Sequence, residues 1–528
     1  MPAYVLNWKA NKLSQLGGWK TARVIFLFSV VATTAAPAQT FTSLTSFDVT
    51  NGANPQWGPL VQGRDGNFYG TTSGGGILNS GCFRSPDGYC GTLFKVTRGG
   101  TLTKLYAFTN GKDGSGPMPG VILATDGDFY GVNTNGGNFG FCFGIGCGAA
   151  FKMSAAGTLT PLFDFTFSKA ANSASALVEA TNGDFYGTSV NGGISGCGPT
   201  ADGCGMIFAI TPRGELTVLH DFDFNDGWDP QGAALIQAKD GKFYGETSGG
   251  GGSSNCANGC GTVYRVGPLG VYEVLHRFKG TDGYGPQGGL VRGSDGNFYG
   301  TTNAGGAQGD GTVFRISAEG ALTTLHSFDE NDGSNPGGGL VQATDGNFYG
   351  TTYAGGANGV GTVFSLSVGL GPFVSFVGNS GVIGQTVEIL GQGLTGTTAV
   401  TFNGTPAVFT VQSETYLTAM VPAGATTGFI SVTDPGGTLK SNKEFRVTPL
   451  VESLTPSSGP AGTSVVIAGE SLTQATEVVF ACGQKASFSV DSDAQITAIV
   501  PQGAKSGRIT ITTPSGIGES PTPFTVTP

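Results

Sequence analysis

Asp65-Gly66-Asn67-Phe68-Tyr69-Gly70 recurs, with small changes, at residues 126–131, 182–187, 240–245, 295–300 and 345–350. The repeated tyrosines, Tyr69, Tyr130, Tyr186, Tyr244, Tyr299 and Tyr349, lie 50 to 61 residues apart. A period in that range marks a repeated supersecondary unit. The clearest copy runs from Gly311 to about Val360 and holds four strand-like stretches. Residues 311–317 (GTVFRIS) alternate apolar and polar side chains, and 322–328 (LTTLHSF) follow a short glycine-bearing turn. Residues 339–343 come after a longer loop, and 347–352 close the copy beyond the Asp345-Gly346 turn. Asp-Gly between apolar strands is a hairpin signal, because glycine tolerates positive φ. Past the N-terminus no segment has a 3.6-residue apolar period. Four short antiparallel strands per copy, repeated radially, describe a β-propeller.

The ends of the array set the blade count. It begins with a strand of the second type (41–47) and ends with one of the first type (361–366), and these two types are hairpin neighbours in every other copy. The expected fold is therefore all-β: a six-bladed β-propeller over 39–368, closed by its N- and C-terminal strands. An open solenoid is the alternative, and it would leave sheet edges exposed. Contact between 41–47 and 361–366 separates the two. Phe and Tyr of the phrase point to opposite faces of a blade and should both be buried, each contributing about 2–3 kcal/mol.

The string G-T-V-F…L-H-x-F…D-G…P…G-L-V…D-G-N-F-Y-G-T-T…G-G resembles the GloVer tandem repeat of exported bacterial proteins, over about 41–368. The resemblance implies export and a repeat architecture, and no established activity. The third copy departs from it: Asn182 replaces Asp, and 165–175 lack the Asp-Gly and Pro of the other copies. After Gly369 two segments of about 80 residues match each other, 382–389 with 460–467, 400–404 with 478–483 and 419–422 with 498–501. Short alternating strands between Gly/Pro turns over that length suggest immunoglobulin-like β-sandwich domains. They resemble TIG (IPT) domains, giving expected domains at 369–449 and 450–528. Such domains occur as stalks, spacers and carbohydrate-associated modules, so the resemblance does not choose among roles.

Composition excludes some partners. A net charge of −10 disfavours nucleic acid, which needs a basic footprint. Aromatics at 10% argue against a disordered glycine-rich polymer despite 93 glycines. Lys9, Lys12, Lys20 and Arg23 precede the apolar run 24–32, and Ala36-Pro37-Ala38 supplies small residues for cleavage, so 1–38 reads as an export signal. No later stretch is long and apolar enough for a membrane helix. Eight of nine cysteines fall in local pairs, Cys82/Cys90, Cys142/Cys147, Cys197/Cys204 and Cys256/Cys260, each in the glycine-rich segment after one of the first four phrases. They read as intra-loop disulfides of a secreted or cell-surface protein, with a metal site as the weaker alternative. Cys482 remains over and reads as a buried inert thiol.

Catalytic signals are few. His220, His276 and His326 occupy one repeat position, where other copies have Thr45, Tyr106 and Phe163; that tolerance suggests packing. Asp221, Asp223, Asn225 and Asp229 crowd one loop and form a candidate Ca²⁺ site, against which stands the reading as solvated turns. No other cofactor is indicated. Trp57 and Trp228 belong to the long loops and are candidate sugar-stacking residues, although each could anchor its own loop. The leading functional expectation is an exported, monomeric, non-enzymatic binding or adhesion protein for extracellular polysaccharide or a surface protein. The alternatives are a polysaccharide hydrolase or lyase with its site in the propeller pocket, and a ligand-free spacer.

Overall fold

The computed structural model describes residues 39–55, 58–78, 89–110, 149–164, 203–210, 216–230 and 235–528 (apart from 379 and 514), with shorter pieces between them. The described residues form β-strands and one 3₁₀ turn, Leu394–Gly396, with no α-helix. Six antiparallel sheets come first. Sheet 1 has Val61–Gln62, Phe68–Thr72, Thr92–Val96 and Leu102–Ala107 in that order. Sheets 2 to 5 repeat the order, and sheet 5 adds Tyr284–Pro286. Sheet 6 takes three strands from the sixth repeat, and Thr40–Ser46 completes it by pairing antiparallel with Thr362–Ser367. Its register runs from Thr40 opposite Ser367 to Ser46 opposite Thr362. The stretches 41–47 and 361–366 are therefore in contact.

The phrase joins one sheet to the next. Gly forms the turn, Phe and Tyr follow on opposite faces, and both are buried in the fully described copies. In the described copies the Tyr lies on the Phe of the following sheet: Tyr69 on Phe129, Tyr186 on Phe243, Tyr244 on Phe298 and Tyr299 on Phe348, with centroids 3.9–4.2 Å apart. Tyr349 of sheet 6 lies on Phe68 of sheet 1 at 4.1 Å. A second ladder runs outside the first. Tyr272 stacks on His220 of the preceding sheet, and Phe41 stacks on His326, at 3.7 and 3.6 Å. Stacked rings bury large apolar areas and add orientation preference, which fixes the sheet-to-sheet angle.

Gly361 shows why one glycine per copy cannot vary. It sits at φ 106°, and a Cβ there would lie 2.4 Å from the Thr352 carbonyl oxygen and 2.9 Å from Cδ of Pro55. Only glycine meets both demands.

Two sandwiches follow. The first pairs a sheet of Ser375–Phe376, Thr386–Leu390, Tyr416–Met420 and Phe409–Val411 with one built on Ala399–Phe402, Gly428–Asp434 and Gly437–Val447. Its core is Ile389, Leu417, Ile430, Phe402, Phe445 and neighbours. The second repeats this plan around Val465, Ile467, Phe480, Ile496, Ile511 and Phe524. The first sandwich docks on the Asp-Gly turns. Arg64 reaches Glu388 in a two-pronged ion pair and lies over the Tyr416 ring. The Arg64 carbonyl accepts from the Thr415 hydroxyl at 2.7 Å. Gln392 donates to Thr344 of sheet 6 at 2.6 Å, and Arg98 donates to Gln392. Lys239, in the turn of sheet 4, stands 3.6 Å from Glu444 and over the Phe429 ring. One sandwich thus touches turns of sheets 1, 4 and 6.

Candidate functional site

The repeated polar residues are engaged in the scaffold. The phrase aspartate accepts from the tyrosine hydroxyl four residues on: Asp65 from Tyr69, Asp240 from Tyr244, Asp295 from Tyr299 and Asp345 from Tyr349, at 2.7–3.0 Å. Its other oxygen accepts the amide two residues on, as in Asn67 to Asp65 at 3.1 Å. Burial and the facing carboxylate both raise the Tyr69, Tyr299 and Tyr349 phenols.

The histidines do more than pack. Each shares a hydrogen bond with the aspartate of the following long loop: His220 with Asp226, His276 with Asp282 and His326 with Asp332, at 2.8–2.9 Å. Tyr106 makes the equivalent bond to Asp113 at 3.0 Å. The same aspartates accept a backbone amide with their second oxygen, as Asp332 does from Asp329 at 3.0 Å. Each pair pins an outer strand to a loop. Burial lowers the His276 and His326 imidazoles in spite of their partners and raises Asp332. The sequence carried a signal for this tether: the loops that follow Thr45 and Phe163 lack the Asp-Gly present after His220, His276, His326 and Tyr106, and the first has Asn51-Gly52 instead.

The long loops are tied to one another. Antiparallel bridges join Ala53 to Gly74, Trp228 to Gly249 and Ser334 to Ala354, so the Asp-Gly-Pro loops and the cysteine loops lie together, at the strand ends away from the docked sandwich. Cys82–Cys90, Cys197–Cys204 and Cys256–Cys260 are disulfide-bonded, with Cα separations of 5.2–5.3 Å. Cys142 and Cys147 lie outside the described residues, as does Trp57. Trp228 is half-buried against the cluster of Phe222, Cys197 and Cys204, so the structure gives it an anchoring contact.

The carboxylate loop does not converge on a centre. Asp223 accepts the amides of Asn225 and Asp226 at 2.8 and 2.9 Å, and Asp229 accepts from the Ser248 hydroxyl at 3.0 Å. Asp221, exposed, ends its strand opposite Met206. Among the described residues no three His, Cys, Asp or Glu side chains are grouped to hold a metal. Cys482 corrects the expectation of a buried thiol. It is exposed, at φ 64° in the tight turn after Glu477–Ala481, and a turn tip projects its side chain into solvent.

Two groups had no warning in the repeat logic. Glu246 stands where other copies have Thr71, Thr188, Thr301 and Thr351, and it is 6% exposed. One oxygen accepts the Gly289 amide at 3.1 Å and the other has no partner, so burial pushes the carboxyl up to about 8. Tyr264, in the place of Phe94 and Phe314, buries a hydroxyl without a partner, and burial raises it. They face opposite sides of sheet 4, since Tyr264 pairs with Gly245 and Glu246 with Val263.

Comparison with known proteins follows the same division. The Gloeobacter/Verrucomicrobia repeat matches residues 17–200 and 198–408, and the IPT/TIG domain matches 372–447 and 449–526. No curated protein matches the chain. A surface glycan-binding protein from Prevotella bryantii is 19% identical over 28% of this chain and 38% of its own, with a TM-score of 0.20. This chain therefore spans well under half of that protein's length. A gluconolactonase from Xanthomonas campestris is 11% identical over 63% of this chain and 90% of its own, with a TM-score of 0.33. A protein of unknown function from Bacteroides thetaiotaomicron is 13% identical over 62% and 76%, with a TM-score of 0.37. No helix among the described residues is long and apolar enough to cross a membrane. With six copies of the phrase, their sheets and a profile match over most of its length, the chain belongs to the Gloeobacter/Verrucomicrobia repeat family and carries two IPT/TIG domains.

Proposed function

We propose that this is an exported, non-enzymatic recognition protein whose ligand face is the long-loop face of a closed six-bladed propeller. Residues 1–38 direct export, 39–368 form the propeller, and 369–449 and 450–528 form the two IPT/TIG domains. The pairing of Thr40–Ser46 with Thr362–Ser367 and the Tyr349–Phe68 stack support closure. Short disulfides in three described loops support an oxidising compartment.

One observation carries the functional reading. The titratable groups that recur are bound into the scaffold, whereas the loops that differ between copies are tied down on the face the sandwich leaves open. Rigid scaffolds with variable, pre-organised loops are where binding develops. The glycine-rich loops that follow each phrase, such as 248–260, are rich in Gly, Asn and Ser and poor in charge, which suits a neutral polysaccharide. The test is affinity electrophoresis of the full chain through gels containing soluble polysaccharides. Ile77 and Leu78 are exposed apolar residues in the loop leading to Cys82; retardation by at least one polysaccharide, lost on reduction of the disulfides and weakened by Ile77→Ala with Leu78→Ala, is expected. Absence of retardation throughout, retention of a surface protein instead, or release of reducing sugars overturns the proposal.

A further inference from the structure

Between the two sandwiches lies a cleft of about 390 Å³, within the range of small-ligand sites. It is built from Gly424–Thr427 and Val447 of the first sandwich, and Ser471, Thr473, Gln474, Asp493, Thr513 and Ser515 of the second. The Thr427 and Ser515 hydroxyls meet across it at 2.5 Å, and the Ser471 hydroxyl approaches the Ala425 carbonyl at 3.5 Å. Ser471 holds φ 59°, a left-handed conformation costly for a residue with a Cβ, which turns its hydroxyl toward the first sandwich.

The Thr426 hydroxyl accepts from Asn403 and the Thr513 hydroxyl donates to the Gly516 carbonyl, so the groups left open are on Asp493 and Gln474. Asp493 Oδ1 accepts from the Thr473 hydroxyl and amide, whereas Oδ2 makes no hydrogen bond among the described residues. The Gln474 amide makes none either. The lining contains no Lys or Arg, and Asp493 with nearby Glu470 gives it negative charge, so it repels anions. It lacks the three grouped carboxylates or imidazoles that a cation would need. One open carboxylate oxygen and one amide, beside the small and apolar Gly424, Ala425 and Val447, complement a neutral molecule that carries both hydroxyl groups and C–H faces.

We propose that the cleft between the sandwiches binds a neutral saccharide of one or two rings, with Asp493 accepting from a pair of its hydroxyls and Gln474 bonding a third. This site is separate from the propeller loops and does not rest on their role. The test is saturation-transfer difference NMR on the full chain with cellobiose, xylobiose, maltose and lactose as probes. At least one should give ring-proton signals that persist in the Leu78→Ala loop variant. Gln474→Ala and Asp493→Asn should each weaken binding about tenfold, the effect of removing one charged or amide hydrogen bond. Gln474 is exposed and Asn can keep the Thr473 bonds, so both variants retain the fold. No signal from any probe, or signals unchanged in both variants, overturns the proposal. Loss of signal only in the loop variant assigns the sugar to the propeller and overturns it equally.

Discussion

Glu246 is the residue at which the repeat breaks its own rule. Its folded pKa of about 8 lies above the ordinary 4.5, so its contribution to stability is full below pH 4.5 and is lost as pH rises through about 8. A shift of that size corresponds to roughly 3–6 kcal/mol at high pH. Glu246→Gln should therefore unfold at higher urea than the parent at pH 9 and at similar urea at pH 4. Equal midpoints at both values would show that the carboxyl is not confined as described. His276 and His326 act in the opposite direction. Their lowered values mean stability is complete above about 6.5 and falls as the pH drops through the folded values. At the phrase itself, Tyr299→Phe removes one hydroxyl bond to Asp295 while keeping the ring stack. A loss of about 1 kcal/mol is expected in equilibrium denaturation, since the exposed Asp295 carboxylate is rehydrated when the hydroxyl is removed. The His-to-Asp tether was legible only in part. The position looked like packing because Thr, Tyr, Phe and His all occur there; the partner became visible once the fold brought the next loop's aspartate to 2.8–2.9 Å.

Among elements, Thr40–Ser46 has the largest leverage for its length. It supplies the outer strand of sheet 6, and Phe41 packs on His326, Phe328 and Phe364. Phe41 is partly buried, so Phe41→Ala should cost about 2–3 kcal/mol, below the range for emptying a fully buried aromatic site. Hydrogen exchange should then quicken in Thr362–Ser367 and leave Thr386–Leu390 of the first sandwich unchanged. Uniform quickening across the chain would instead mean that the strand belongs to one global unfolding unit. That the strand pairs with the end of the array could be read from strand order alone, because a missing first strand at one end and a missing second strand at the other are complementary. The short inner strands, such as Val61–Gln62 and Val341–Gln342, were harder to bound, since two residues leave no periodicity to read.

Across the whole molecule, the first sandwich spans turns of sheets 1, 4 and 6, and its ion pairs are partly exposed. Surface pairs of that kind contribute about 0–1 kcal/mol each. Arg64→Ala combined with Lys239→Ala should leave both parts folded, with unchanged circular dichroism, and raise the radius of gyration in small-angle scattering. No change in scattering would assign the docking to Thr344, Gln392 and the backbone contacts instead. The all-β class, the six-fold repetition, the two sandwiches and three of the local disulfide pairs are legible in the residue pattern alone. All of these follow from patterns within a few tens of residues: alternation, Asp-Gly turns and cysteine spacing. The tertiary structure alone decided which face the sandwich occupies, which aspartate each histidine meets, that Cys482 is exposed, and that Glu246 is buried without a full set of partners. The docked face depends on approach between residues far apart in the chain, such as Arg64 and Glu388; the tethers, the Cys482 turn and the Glu246 site depend on side-chain geometry and desolvation, which alternation and residue spacing do not report.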